Sequence, residues 1–64
     1  MVKINGVERE ADGQSLYAYL LSSNYDIKRI AVEKNGEIVS KVKYESTMLE
    51  DGDSLEIVSF VGGG

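Results

Sequence analysis

The sequence predicts an α+β domain in which a mixed sheet of four to five strands packs on one main helix. Three observations carry this expectation. Four of the seven glycines follow Asn or Asp, at Asn5-Gly6, Asp12-Gly13, Asn35-Gly36 and Asp51-Gly52, and so punctuate the chain with tight turns. Between these turns short segments alternate apolar and polar residues, the period of a half-buried strand. One stretch, "SLYAYLLSS", abandons that alternation and repeats its apolar residues at helical spacing.

The elements follow in order. In "MVKI", Val2 and Ile4 share one face of a first strand, and Asn5-Gly6 reverses the chain into the charged second strand "VERE". Ser15 is placed to cap the helix, whose interior holds no Gly or Pro. Leu16, Tyr19 and Leu20 form its apolar face, flanked by Tyr17 and Leu21. Asn24 and Asp26 mark the helix exit, and Ile27 is expected to fold back onto the core. "RIAVEK" reads as a third strand with Ile30 and Val32 inward, ended by Asn35-Gly36, and "EIVS" as a short fourth. "KVKYESTML" is expected to be irregular or a single helical turn, pinned by Tyr44 and Leu49. "EDGD" is a turn, and "SLEIVSFV" is the closing strand. A helix reached after a hairpin and followed by further strands packs on one face of a mixed sheet. The usual solution sets the first and last strands side by side and parallel at the centre, with a right-handed crossover between them.

Composition narrows the function. Sixty-four residues make one small domain, and its lack of Cys and His removes disulfides, zinc-finger sites and the commonest catalytic base and nucleophile. Self-contained catalysis is not expected, nor a metal site. The net charge of −4 disfavours nucleic acid, which demands a positive footprint, and favours a partner with a basic docking face. No apolar run is long enough to span a membrane, and "MVKINGVERE" lacks a signal-peptide core. The expectation is a cytoplasmic domain that acts through a partner.

The closing strand raises the sharpest question, because it runs into Gly62, Gly63 and Gly64. Alternation puts Leu55 and Ile57 on one face and Glu56, Val58 and Phe60 on the other. If the first pair meets the helix, Val58 and Phe60 either form an apolar docking patch or lie under a loop. The glycines also admit two readings. They are a frayed end or spacer, or they are a thin segment able to enter a narrow enzyme channel. On the second reading the reactive group is the α-carboxylate of Gly64, which can attack the α-phosphorus of ATP and become an acyl adenylate.

The blocks "VEKNGEIV" at 32–39 and "LEDGDSLEIVSFVGGG" at 49–64, with the Asn-Gly hairpin near the start, resemble the β-grasp sulfur carriers, prokaryotic relatives of ubiquitin. Within that group the Val-Gly-Gly-Gly tail is similar to the thiamin-biosynthesis branch, whereas molybdopterin carriers commonly end in Ser-Gly-Gly or a similar tail. The resemblance implies a ubiquitin-like β-grasp domain over residues 1–61 and a glycine tail over 62–64. It implies a protein cosubstrate, not an enzyme, that binds no cofactor of its own. A ThiF-like adenylyltransferase using ATP and magnesium would adenylate Gly64. Sulfur from a persulfide enzyme would leave a thiocarboxylate there, and a ThiG-like thiazole synthase would consume it. Gly62 and Gly63 map onto the threading residues, and Val58, Phe60 and Val61 onto the border of the docking face. The chain departs from its relatives in carrying Ser40 where Pro is frequent, Tyr44 where Trp is frequent, and Lys34 at a usually apolar strand position. Three alternatives stay open: a carrier for molybdopterin or another sulfur pathway, a ubiquitin-like modifier joined to lysines of target proteins, and a binding module with an incidental tail.

Other clusters read blandly. Glu50, Asp51 and Asp53 lack the ligand series of a calcium loop and read as a solvated acidic turn. Lys28-Arg29 and the Lys41/Lys43 pair read as solvated surface. Tyr17, Tyr19, Tyr25 and Tyr44 read as core or half-buried residues.

Overall fold

The computed structural model describes residues 1–60. Five strands form one sheet: β1 (Val2–Ile4), β2 (Val7–Arg9), β3 (Ile30–Lys34), β4 (Glu37–Val39) and β5 (Ser54–Ser59), in the spatial order β2-β1-β5-β3-β4. β1 and β5 are parallel neighbours, and every other pairing is antiparallel. Among the described residues a single α-helix, α1 (Leu16–Ser22), supplies the opposing layer. The core between them is built from Val2, Ile4, Leu16, Leu20, Ile30, Val32, Leu55 and Ile57, with Tyr44 and Leu49 closing it from the loop before β5.

Seven residues make a helix too short to be stable alone in water, so its ends are held by tertiary contacts. Ser15 caps it as expected, its Oγ accepting from the Ala18 amide at 3.0 Å. The two preceding amides donate to the loop that follows β4, Leu16 to the Thr47 carbonyl (2.7 Å) and Tyr17 to the Tyr44 carbonyl (3.1 Å). The first-turn N–H groups are thereby satisfied, and the same bonds fix the loop that carries Tyr44 and Leu49. That loop contains one 3-10 turn, Lys41–Lys43, matching the expected single turn.

β1, β2 and β4 are each one residue shorter than expected, and two boundaries where β3 meets the end of β5 differ for one shared reason. Asp26 accepts from the Lys28 amide at 3.1 Å and caps a 3-10 turn over Ile27–Arg29, so β3 begins at Ile30 and not at Arg29. With Arg29 outside the strand, the β3–β5 ladder closes at Ile30–Ser59, and the closing strand ends at Ser59. Phe60 keeps one bond, its amide donating to the Arg29 carbonyl at 2.7 Å. Val61, predicted within the strand, lies outside the described residues.

The three departures from the family pattern fit locally. Lys34 faces the helix side of the sheet, pairs with Leu55 in the ladder and carries its ammonium to 3.6 Å from Asp53, burying its stem while keeping its charge partnered. Ser40 adopts φ −75°, the angle a proline ring would impose. Tyr44 is 1% exposed, its burial pushing the phenol pKa up, with the Lys41 ammonium 5.8 Å from the ring centre. That ammonium also donates to the Ile30 carbonyl at 2.7 Å, anchoring the loop at the start of β3.

Candidate functional site

The site is built around β5. Its position between β1 and β3 gives it neighbours on both edges, and its alternation gives it two unlike faces. Leu55 and Ile57 are buried against the helix side. Val58 and Phe60 stand on the helix-free side, 58% and 53% exposed, so no loop among the described residues covers them. Of the other predicted site residues, Val61, Gly62, Gly63 and Gly64 lie outside the described residues.

What holds β5 in place was not read from the sequence. The carbonyls of Asp53, Leu55 and Ile57 form a regular series along its β1 edge. Lys3 donates its amide to the first and Asn5 its amide to the second, both at 2.9 Å. At the third, the chain has already turned away into the hairpin, and the Asn5 side chain replaces the missing strand. Its Nδ2 donates to the Ile57 carbonyl (3.1 Å), while its Oδ1 accepts from the Ile57 amide (2.7 Å). Asn35 does a related job on the other edge, its Oδ1 accepting from the Ser54 amide at 2.9 Å. Both Asn residues occupy positive φ, 49° and 52°, and each is followed by a glycine that does too. The signal for these straps was present as two Asn-Gly pairs, but the pairs alone indicate only turns.

The acidic turn before β5 is structural. Asp53 accepts from the Glu50 amide (2.9 Å) and from Asn35 Nδ2 (3.0 Å). Desolvation is the largest single influence on its carboxyl and pushes its pKa up. The bonds from Asn35 and Glu50, with Lys34 nearby, together outweigh that and hold it below the usual carboxylate range. Asp51 and Asp12 receive the Met1 amine at 2.7 and 2.9 Å. Bonds to Asp51 and then Asp12 raise the amine's pKa to about 10, and the same contact lowers Asp12. Among the described residues no group of three or more acidic side chains is placed to hold a metal ion, and no helix is long and apolar enough to cross a membrane. Lys28 and Arg29, read from sequence as solvated surface, are exposed but lie on the turn bonded to Phe60, beside the chain's exit from the sheet.

A mixed sheet with parallel first and last strands at its centre, one helix across one face and the opposite face open defines a ubiquitin-like β-grasp domain. Comparison with known proteins is more specific. The ThiS family matches residues 2–64, and the chain belongs to that family. It is 39% identical to the sulfur carrier protein ThiS of Bacillus subtilis over 66 residues, an alignment covering 100% of both chains. It is 45% identical over 62 residues to a thiazole synthase of Paramagnetospirillum magneticum, covering 95% of this chain. The chain spans about a fifth of the length of the thiazole synthases it matches, 19% and 20% in two cases. The crystal structure of thiamine biosynthesis protein ThiS from Geobacter metallireducens superposes with a TM-score of 0.80 at 28% identity, over 98% of this chain and 97% of that one.

Proposed function

We propose that the chain is a sulfur carrier of thiamin biosynthesis, a protein cosubstrate whose reactive group is the carboxylate of Gly64. An activating enzyme of the ThiF type, holding ATP and magnesium, is its first partner. The carboxylate attacks the α-phosphorus, pyrophosphate leaves, and Gly64 becomes an acyl adenylate. A cysteine persulfide then attacks the carbonyl carbon and expels AMP. A second thiol cleaves the resulting sulfur–sulfur bond, leaving a thiocarboxylate on Gly64 and a disulfide on the donor side. Thiazole synthase takes that sulfur for the thiazole ring.

The observation that carries this reading is the likeness to the Bacillus sulfur carrier along its whole length, with Gly62, Gly63 and Gly64 inside the region that matches the family. The match within thiazole synthases supports that enzyme as the sulfur acceptor. The fold supports the division of labour: a body with an open sheet face bearing Val58 and Phe60, from which Val61 and the threading residues Gly62 and Gly63 lead to Gly64. Without Cβ atoms, those glycines fit a narrow channel.

The test is intact-mass spectrometry after incubation with the activating enzyme, ATP and a persulfide donor. The mass should rise by the difference between one sulfur and one oxygen. A chain amidated at Gly64 should show no change and should support no thiazole formation. An unchanged mass for the free-acid chain with an active enzyme, or thiazole formed from the amidated chain, overturns the proposal.

A further inference from the structure

Three asparagines occur in the chain, and two of them, Asn5 and Asn35, precede glycine. Asparagine before glycine is the pair that most readily closes to a cyclic imide, because no side chain on the following residue hinders its main-chain nitrogen. The glycine nitrogen attacks the side-chain carbonyl carbon, and the bond from that carbon to Nδ2 breaks. Ammonia leaves with the proton that the glycine nitrogen gives up. Water then opens the imide at either carbonyl, giving aspartate or isoaspartate. Asn24 is followed by Tyr25, whose side chain obstructs the same attack.

Crowding does not separate the two Asn-Gly pairs. A Cβ at Gly6 or Gly36 would meet nothing within 4 Å. Both asparagines also tie their main-chain amides to β5, Asn5 to the Leu55 carbonyl at 2.9 Å and Asn35 to the Ser54 carbonyl at 2.8 Å. The grip on the side chain does separate them. Attack requires the amide carbon to swing toward the glycine nitrogen, so the side-chain bonds must break first. At Asn5 they run to the amide and carbonyl of Ile57 in a part-buried site, and breaking them leaves two main-chain groups unpaired. At Asn35 they run to the Ser54 amide and the Asp53 carboxylate, and both bonds are exposed, so water takes the place of each. Exposed bonds of this kind open locally, at much less cost than unfolding the domain.

We infer that Asn35 is a site of spontaneous deamidation in the folded protein, and that Asn5, its twin in sequence, is kept intact by its bonds to Ile57. The product alters the turn in one of two ways. As aspartate, residue 35 keeps an oxygen for the Ser54 amide, but its other oxygen replaces the Nδ2 that donated to Asp53 at 3.0 Å. Two carboxylates then face each other and repel. As isoaspartate, residue 35 routes the main chain through its side-chain carbonyl. That adds a methylene to the two-residue turn joining β3 and β4, whose ladder holds only three paired positions. Either product adds a negative charge to a chain of net −4 and loosens the hairpin beside the start of β5.

The test incubates the whole chain in mildly alkaline buffer over a series of urea concentrations. Peptide mapping by mass spectrometry follows asparagine, aspartate and isoaspartate at both sites. In fully denaturing urea the two sites should react at similar rates. In the folded chain Asn35 should react on the order of tenfold faster than Asn5. Below the unfolding transition its rate should be nearly flat in urea, because a local opening exposes little surface, while the rate at Asn5 climbs steeply. Asn35→Asp reproduces one product, and at neutral pH its Tm should fall by about 4–8 °C. No reaction at Asn35 in the folded chain, equal rates at the two sites, or equal urea slopes each overturns the inference. An unchanged Tm in Asn35→Asp overturns the repulsion assigned to Asp53. None of these measurements uses the activating enzyme, so they stand or fall apart from the carrier reading.

Discussion

The two Asn-Gly turns look interchangeable in sequence, and their backbones nearly are. Asn5 and Asn35 have φ of 49° and 52°, and Gly6 and Gly36 have 85° and 87°. What differs is the strand edge each one meets. Asn5 stands beside the parallel half of the sheet, where β1 and β5 share only two paired positions, and its amide makes both bonds to Ile57 that a longer β1 would have made. Asn35 ends a five-position antiparallel ladder that is already complete, and its amide joins the Ser54 amide to the Asp53 carboxylate of the turn before β5. The lesson is that one turn dipeptide is a strut in one place and a trim in the other. The strut also holds the main chain of Ile57, the residue next to Val58 on β5.

Substitution should separate the two most clearly at the struts. Asn5→Ala leaves the Ile57 amide and carbonyl unpaired in a part-buried site and places an alanine at positive φ, for an expected loss of about 3 kcal/mol. That is a large share of the roughly 3–10 kcal/mol expected of a chain this size. Asn5→Gly relieves the backbone strain and keeps the loss of the amide, so it should fall to about 2 kcal/mol and remain measurable if the alanine variant unfolds. Asn35→Ala comes next, at about 1.5 kcal/mol, because its bonds are exposed and water replaces them. Urea unfolding gives the values. Equal losses at the two positions would erase the distinction.

The glycines sharpen the comparison by removing it. A Cβ at Gly6 or Gly36 would meet nothing within 4 Å, and both carry nearly the same positive φ. Gly6→Ala and Gly36→Ala should each lose about 1 kcal/mol from backbone strain alone. The two values should agree within about 0.5 kcal/mol, given similar local energetics at independent sites. Unequal glycine losses would assign the asymmetry to the turns and not to the straps.

This asymmetry marks where the sequence stops being legible. Turn positions, the Ser15 cap, the inward Leu55 and Ile57 and the outward Val58 and Phe60 all follow from period and local chemistry, because each depends on residues within a few positions. The pairing of Asn5 with Ile57 joins residues 52 apart, and the bond from Lys41 to the Ile30 carbonyl joins the loop to a strand start. Neither has a local signature. The turn at Ile27–Arg29 did have one, Asp26 two residues before the amide it caps, and overlooking it moved β3 by one residue. It also left Arg29 read as plain surface when its carbonyl accepts the Phe60 amide. That Glu33 faces Glu56 on the open face required the register, which alternation within one strand does not give.

Proton titration gives the smallest expected effect and the one that reaches the two straps most selectively. Asn5 bonds only main chain, whereas Asn35 donates to the Asp53 carboxylate. Asp53 and Asp12 are both held below the ordinary aspartate value of 3.8 in the folded chain, so each binds protons more weakly there than in the unfolded one. Their contribution is therefore present above about pH 4 and is lost as pH falls through the folded values. The Met1 amine has the opposite sign: raised from 8.0 to about 10, it contributes fully below pH 8 and is lost as pH climbs through 10. Stability followed by urea midpoint should thus be flat near neutrality and fall on both sides. In Asn35→Ala the acid side should be shallower than in the wild type, since one bond that lowers Asp53 is gone, while its alkaline side stays the same. Asn5→Ala should shift the whole curve down and change neither slope. An acid limb unaltered by Asn35→Ala would mean that the Asn35–Asp53 bond contributes nothing to the titration, and that the exposed strap is held by Ser54 alone.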